Sequence, residues 1–162
     1  MVLRTFLGLG IARVNLPVLP YEKSFFAGGP NSVRAWKARS LGPGGTTVGT
    51  GTNFDKLGDL QMEGNLEYRF NIYKMLNGAL FVDAGNIWLR QPDAVKPLAD
   101  FDATRFLSEL AVGTGMGLRA DFSFFIIRLD GAFKIHNPAL PVGQRWAFDK
   151  GIVVNFGIGY PF

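Results

Sequence analysis

Cysteine is absent from the 162 residues, which excludes structural disulfides, thiolate metal sites and thiol catalysis. Histidine occurs once. His136, followed by Asn137-Pro138, has no His/Asp/Glu set at ligand spacing and reads as a loop histidine, so no metal and no cofactor is expected. Although 48% of the residues are hydrophobic, no run of ~18 uninterrupted apolar residues occurs, and a membrane-crossing helix is excluded. Dense Lys/Arg runs are missing too. The net charge of +4 is dispersed, so nucleic acid is not an expected partner. The opening Met1-Val2-Leu3-Arg4-Thr5-Phe6 lacks a charged segment followed by an apolar one and a cleavage site. Either such a signal lies upstream on a longer chain, or the chain starts there. No nucleophile and base stand together, so the protein is not expected to be an enzyme. Gly113-Thr114-Gly115-Met116-Gly117 superficially resembles a nucleotide loop, but no helix follows. Its glycines share one strand face, where they would admit a neighbouring loop.

What the chain does have is aromatic residues (14%), 21 glycines, and alternation. From Leu60 to Ile72, the residues Met62, Gly64, Leu66, Tyr68, Phe70 and Ile72 share one face, and Gln61, Glu63, Asn65, Glu67, Arg69 and Asn71 the other, which predicts a strand. Leu76 to Trp88 sets Leu76, Leu80, Val82 and Ala84 against Asn77, Phe81 and Asp83. Glu109 to Asp121 sets Leu110, Val112, Met116, Leu118 and Ala120 against Glu109, Arg119 and Asp121. Phe125 to Ile135 sets Phe125, Ile127, Leu129, Phe133 and Ile135 against Arg128, Asp130 and Lys134. Ile152 to Phe162 sets Ile152, Val154, Phe156, Ile158, Tyr160 and Phe162 against Val153, Asn155, Gly157 and Gly159. A strand from Leu3 to Arg13, alternating more weakly, precedes these five.

The connections fall into two classes. Tyr73 to Met75 and Phe122 to Phe124 are tight turns; Asn15 to Asp59, Leu89 to Ser108 and His136 to Gly151 are long loops. Strict alternation of short and long connections, with strands of ~9–11 residues, is the pattern of a transmembrane β-barrel, short turns periplasmic and long loops outside. A soluble sandwich would alternate its faces but would not explain strand length and loop alternation together. The fold class is therefore all-β, an antiparallel transmembrane barrel. Six strands leave two open edges, which hydrocarbon does not tolerate. The remaining strands must come from a missing N-terminal part, another subunit or self-association.

The first loop carries Ser24-Phe25-Phe26-Ala27-Gly28-Gly29-Pro30-Asn31-Ser32-Val33-Arg34-Ala35-Trp36 and then Leu41-Gly42-Pro43-Gly44. Gly28, Gly29 and Pro30 permit a tight path, and the apolar content around Val33 and Trp36 predicts a packed loop rather than a solvated one. An arginine at such a tip needs a carboxylate partner, because a buried, unpaired guanidinium costs several kcal/mol. Glu67 and Asp83, on polar strand faces, are the candidates.

This stretch is similar to the loop signature of the BamA/TamA-type assembly and translocation family (the bacterial surface antigen family), whose tip reads Val-Arg-Gly followed by Phe or Tyr. Ala35 and Trp36 depart from that pattern in Val33-Arg34-Ala35-Trp36. Glu67 and Asp83 match motifs whose acids the resemblance assigns to the loop arginine. At the other end, Asn155, Gly157, Tyr160 and Phe162 fit the terminal signal of outer-membrane proteins, a strand whose Phe156, Ile158, Tyr160 and Phe162 face lipid.

The resemblance spans residues 1–162 and implies the last six strands of a barrel that usually has sixteen, with 15–59 folding into the lumen. It implies a non-enzymatic role in the bacterial outer membrane, with the C-terminus on the periplasmic side: insertion of nascent outer-membrane proteins or translocation of polypeptide. A secretion pore or a structural anchor subunit is the alternative. The implied partners are outer-membrane lipids and lipopolysaccharide, together with nascent outer-membrane proteins or secreted polypeptide.

Overall fold

The computed structural model describes residues 1–12, 19–46, 56–146, 148 and 151–162. Six strands form one antiparallel sheet in sequence order: β1 (Val2–Leu9), β2 (Leu60–Tyr73), β3 (Leu76–Trp88), β4 (Ala111–Asp121), β5 (Ile126–His136) and β6 (Val153–Ile158). Every neighbour in the chain is a neighbour in the sheet, as hairpin connections dictate. Among the described residues no helix is long and apolar enough to cross a membrane.

The two faces are inverted relative to a water-soluble sheet. On β2, Glu63, Asn65 and Glu67 are buried while Tyr68, Phe70 and Ile72 are exposed. The same holds on β3, with Asp83 buried beside exposed Leu80 and Val82, and on β5, with Arg128 and Asp130 buried on either side of exposed Leu129. A water-exposed row of Leu, Phe and Ile this long would be an association hazard, whereas against lipid it is the required surface. What buries the polar face is the first loop, whose Ala27, Val33, Ala35, Trp36 and Leu41 form one apolar cluster with Phe81, Ile87, Ala111 and Ala132 of the sheet.

The turn between β2 and β3 is tight, with Lys74 at φ 44°, and Ser123 takes φ 71° between β4 and β5. These left-handed positions let each chain reverse within a few residues. Strand bounds depart from the sequence expectation in four places. Glu109 closes a four-residue helix, α1 (Phe106–Glu109), and β4 starts only at Ala111. Glu109 accepts bonds from Trp88 Nε1 at 2.7 Å and Arg105 Nε at 2.7 Å, which hold it off the sheet. His136 is no free loop residue: it ends β5, is buried, and its Nδ1 lies 2.6 Å from the Leu110 carbonyl.

The third departure is at the C-terminus. The last strand stops at Ile158, and Gly159 takes φ 86°. Its amide donates to the Ile126 carbonyl at 2.7 Å. Tyr160 and Phe162 therefore do not continue the lipid-facing row of Phe156 and Ile158. The tail turns onto the polar face, where the Tyr160 ring lies 4.1 Å from Arg69 Cζ and the Phe162 ring 5.8 Å from Arg34 Cζ. At the other end, β1 ends at Leu9 rather than Arg13, and Arg13, like 15–18 and 47–55 of the long loop, lies outside the described residues.

Candidate functional site

The loop reaches the sheet through two successive left-handed glycines, Gly28 (φ 97°) and Gly29 (φ 103°), followed by Pro30. A Cβ on Gly28 would lie 2.5 Å from the Lys37 carbonyl oxygen, so the reversal into and out of the tip requires glycine there. The Gly29 amide donates to the Trp36 carbonyl at 2.8 Å and closes the tip around Val33-Arg34-Ala35. Val33, Arg34 and Ala35 have no exposed surface, and Trp36 has almost none.

Arg34 lies between the two acids expected from the sequence. Its Nε and Nη2 donate to Asp83 at 2.8 and 2.9 Å, its backbone amide also donates to Asp83 at 3.1 Å, and Nη1 donates to Glu67 at 2.6 Å. The guanidinium stacks over the Phe81 ring at 3.5 Å from its centroid. Burial opposes its charge, but the hydrogen bonds and attraction of Asp83, then of Glu67, more than offset this and raise the Arg34 pKa above its ordinary value. The group stays cationic.

The ion pair is one link in a longer array. Glu67 also accepts from Arg119 Nη2 at 3.1 Å and Arg69 Nε at 2.6 Å, Arg119 Nη1 donates to Asp130 at 2.6 Å, and Arg128 Nη1 lies 3.4 Å from Asp130. Arg128 then returns to the loop, donating to the Pro30 carbonyl at 2.9 Å and to the Asn31 side chain. Charges alternate from Asp83 through Arg34, Glu67, Arg119 and Asp130 to Arg128, so each buried charge has an opposite neighbour.

Glycines make room for this array. A Cβ at Gly117 would lie 2.0 Å from Asp130 Oδ1 and 2.1 Å from Arg119 Nη1, and one at Gly157 would lie 2.5 Å from Arg128 Nε. Gly157 of the terminal motif thus has a local reason to be glycine. Gly113 does the same for the loop, since its missing side chain is replaced by the Ala35 methyl. The expectation that the β4 glycines admit a loop holds at Gly113; at Gly117 they admit charged side chains instead.

The rest of the tip is held from both sides of the sheet. Arg4 of β1 donates to the Asn31 carbonyl at 2.7 Å, Ser32 donates to Glu63, and Asn65 donates to the Ser32 carbonyl at 2.9 Å. Asn155 of β6 donates to the Arg34 carbonyl at 2.9 Å. Sequence reasoning named Arg34, Glu67, Asp83, Val33 and Trp36, and the structure brings these together. It did not name Arg4, Asn31, Ser32, Asn65, Arg119, Arg128 or Asp130 as members. Arg119, Arg128 and Asp130 were legible as polar-face residues, but their pairing follows from strand register, which no local pattern carries.

Among the described residues, no group of three His, Asp or Glu side chains is placed to hold a metal. The apolar hollow of ≈ 440 Å³ lined by Phe70, Leu80, Met116, Leu118, Leu129 and Val154 lies on the outer face and contains no titratable group. The array offers fixed charge and hydrogen bonding that hold a loop against a sheet. The family model described as the Omp85 superfamily domain matches residues 1–162.

Proposed function

The chain belongs to the Omp85 superfamily, whose members are outer-membrane proteins that insert or translocate other proteins and are typically non-enzymatic, and from that premise we propose that it acts as a BamA/TamA-like insertase. The outward row of Leu66, Tyr68, Phe70, Leu80, Met116, Leu129 and Phe156 is the lipid-facing belt, and the loop-covered polar face lines the lumen of a larger, sixteen-stranded barrel. Long loops lie outside the cell and the turns at Lys74 and Ser123 in the periplasm. The C-terminus is periplasmic on this reading, because Ile158 pairs with Ile127 beside the turn between β4 and β5.

The observation that carries the proposal is the weakness of the last strand. β6 has 6 residues against 14 in β2 and 13 in β3, and it pairs with β5 only over Ile127–Ala132. Its other edge has no strand partner among the described residues. A short edge strand with an apolar outward row offers main-chain hydrogen bonds to an incoming amphipathic strand, which is β-augmentation in the plane of the membrane.

The test uses the full-length protein in lipid vesicles with a β-barrel client carrying cysteine in its own terminal strand. A cysteine at Phe156 is expected to form a disulfide with the arriving client. Client insertion without that adduct, with cross-linking instead to a cysteine at Lys134 on the polar face, would replace the insertase reading with that of a pore threading polypeptide.

A further inference from the structure

Only one side chain of β6 bonds to the loop tip among the described residues, and it does so from a buried position. Asn155 points to the polar face between outward Val154 and Phe156, and its Nδ2 donates to the Arg34 carbonyl at 2.9 Å. The bond joins residues 121 apart in the chain. Across the ladder Asn155 faces Asp130, which binds Arg119 and Arg128. The arginine whose guanidinium is fixed by β2 and β3 therefore holds the terminal strand through its own backbone.

We propose that Asn155 is a positioning residue that couples the Arg34 ion pairs to the terminal strand, so that the edge offered by β6 loosens when the loop tip is released. Arg34 anchors the tip to the interior strands at Asp83 and Glu67, and the carbonyl of the same residue is the acceptor for Asn155. When the guanidinium leaves its carboxylates, the carbonyl moves with it. Asn155 then loses its acceptor, and β6 is held only by its short ladder with β5. The converse also follows: a strand that pulls Asn155 away from β5 strains the backbone of Arg34. This rests on reading β6 as the accepting edge, but its test requires no client and so fails or succeeds independently of insertion.

The experiment is amide hydrogen exchange by mass spectrometry on the full-length protein in detergent, in four forms: parent, Asn155→Leu, Arg34→Ala and the double variant. Loss of one buried hydrogen bond is expected to speed exchange of the β6 amides about five-fold in each single variant. In the double variant the acceleration is expected to remain about five-fold, because both changes break the same link. Asn155→Gln, which restores an amide donor, is expected to slow exchange again, as a packing role alone would not require. Unchanged β6 exchange in Arg34→Ala, or factors that multiply to about twenty-five-fold in the double variant, would overturn the coupling. If Arg34→Ala does not fold, Asp83→Asn combined with Glu67→Gln neutralises both carboxylates that hold the same guanidinium and serves in the same cycle.

Discussion

Arg34 carries a positive charge where no surface reaches solvent, and that fixes what its loss does. With Arg34→Ala, the carboxylates of Asp83 and Glu67 stay behind, and removing one partner of such a buried pair costs about 3–5 kcal/mol. The loop tip is expected to become cleavable by added protease while the strands keep their circular-dichroism signal. Exchanging charges is not expected to rescue it. In Arg34→Asp with Asp83→Arg, the new carboxylate would face Glu67, now 2.6 Å from Arg34 Nη1, and Asp130, now 3.9 Å away. The double variant should remain as protease-sensitive as Arg34→Ala. A second residue-scale prediction concerns Ala35, which stands where the resembling loops have glycine. Its methyl fits because Gly113 has none. Gly113→Ala is expected to destabilise loop docking by about 1–3 kcal/mol, as overpacking does. Adding Ala35→Gly should restore most of that loss, read by the same protease assay.

Among the elements, the strands were legible and their ends were not. Strict alternation located β2, β3 and β5 to within a residue or two, because an apolar face and a polar face cannot be exchanged without slipping the register. The last strand was overrun for a physical reason: Phe156, Ile158, Tyr160 and Phe162 keep period two through Gly159, and alternation has no means of showing a φ of 86°. Likewise, Glu109 continues the alternation of β4 but is held elsewhere by Trp88 and Arg105. In the site, Arg34, Glu67 and Asp83 were recoverable because a packed arginine demands acids. The ladder through Arg119, Asp130 and Arg128 was not, because its geometry depends on which strands lie side by side. The turned tail gives a third prediction. Gly159→Val, disfavoured at positive φ, is expected to free the tail from the polar face. A Phe162→Trp reporter would then show red-shifted, more quenchable fluorescence in the Gly159→Val background than in the parent.

For the molecule as a whole, the inverted burial sets the orientation to be tested. A cysteine at Val142, 87% exposed in the loop after β5, is expected to react with a membrane-impermeant maleimide on intact cells. One at Lys74 should react only after the outer membrane is opened. Labelling at position 74 but not at 142 would reverse the topology. The sheet also has two edges, β1 and β6. Expressed alone, residues 1–162 are therefore expected to associate, and not to run as a heat-modifiable monomer on a gel, until other strands cover those edges.

The bonds from Asn31 to Arg128 and from Arg34 to Asn155 span 97 and 121 residues, which makes the tip a timekeeper. Contacts so distant in sequence form late, because each must close a long stretch of chain first. The loop emerges before every strand that holds it except β1, so it cannot settle until those strands have been delivered. A nascent chain stopped before Leu60 is expected to show a tip that proteases still cut, and one that has reached His136 a tip that they do not. Seating of the loop would then report that the strands carrying its ion-pair partners have arrived.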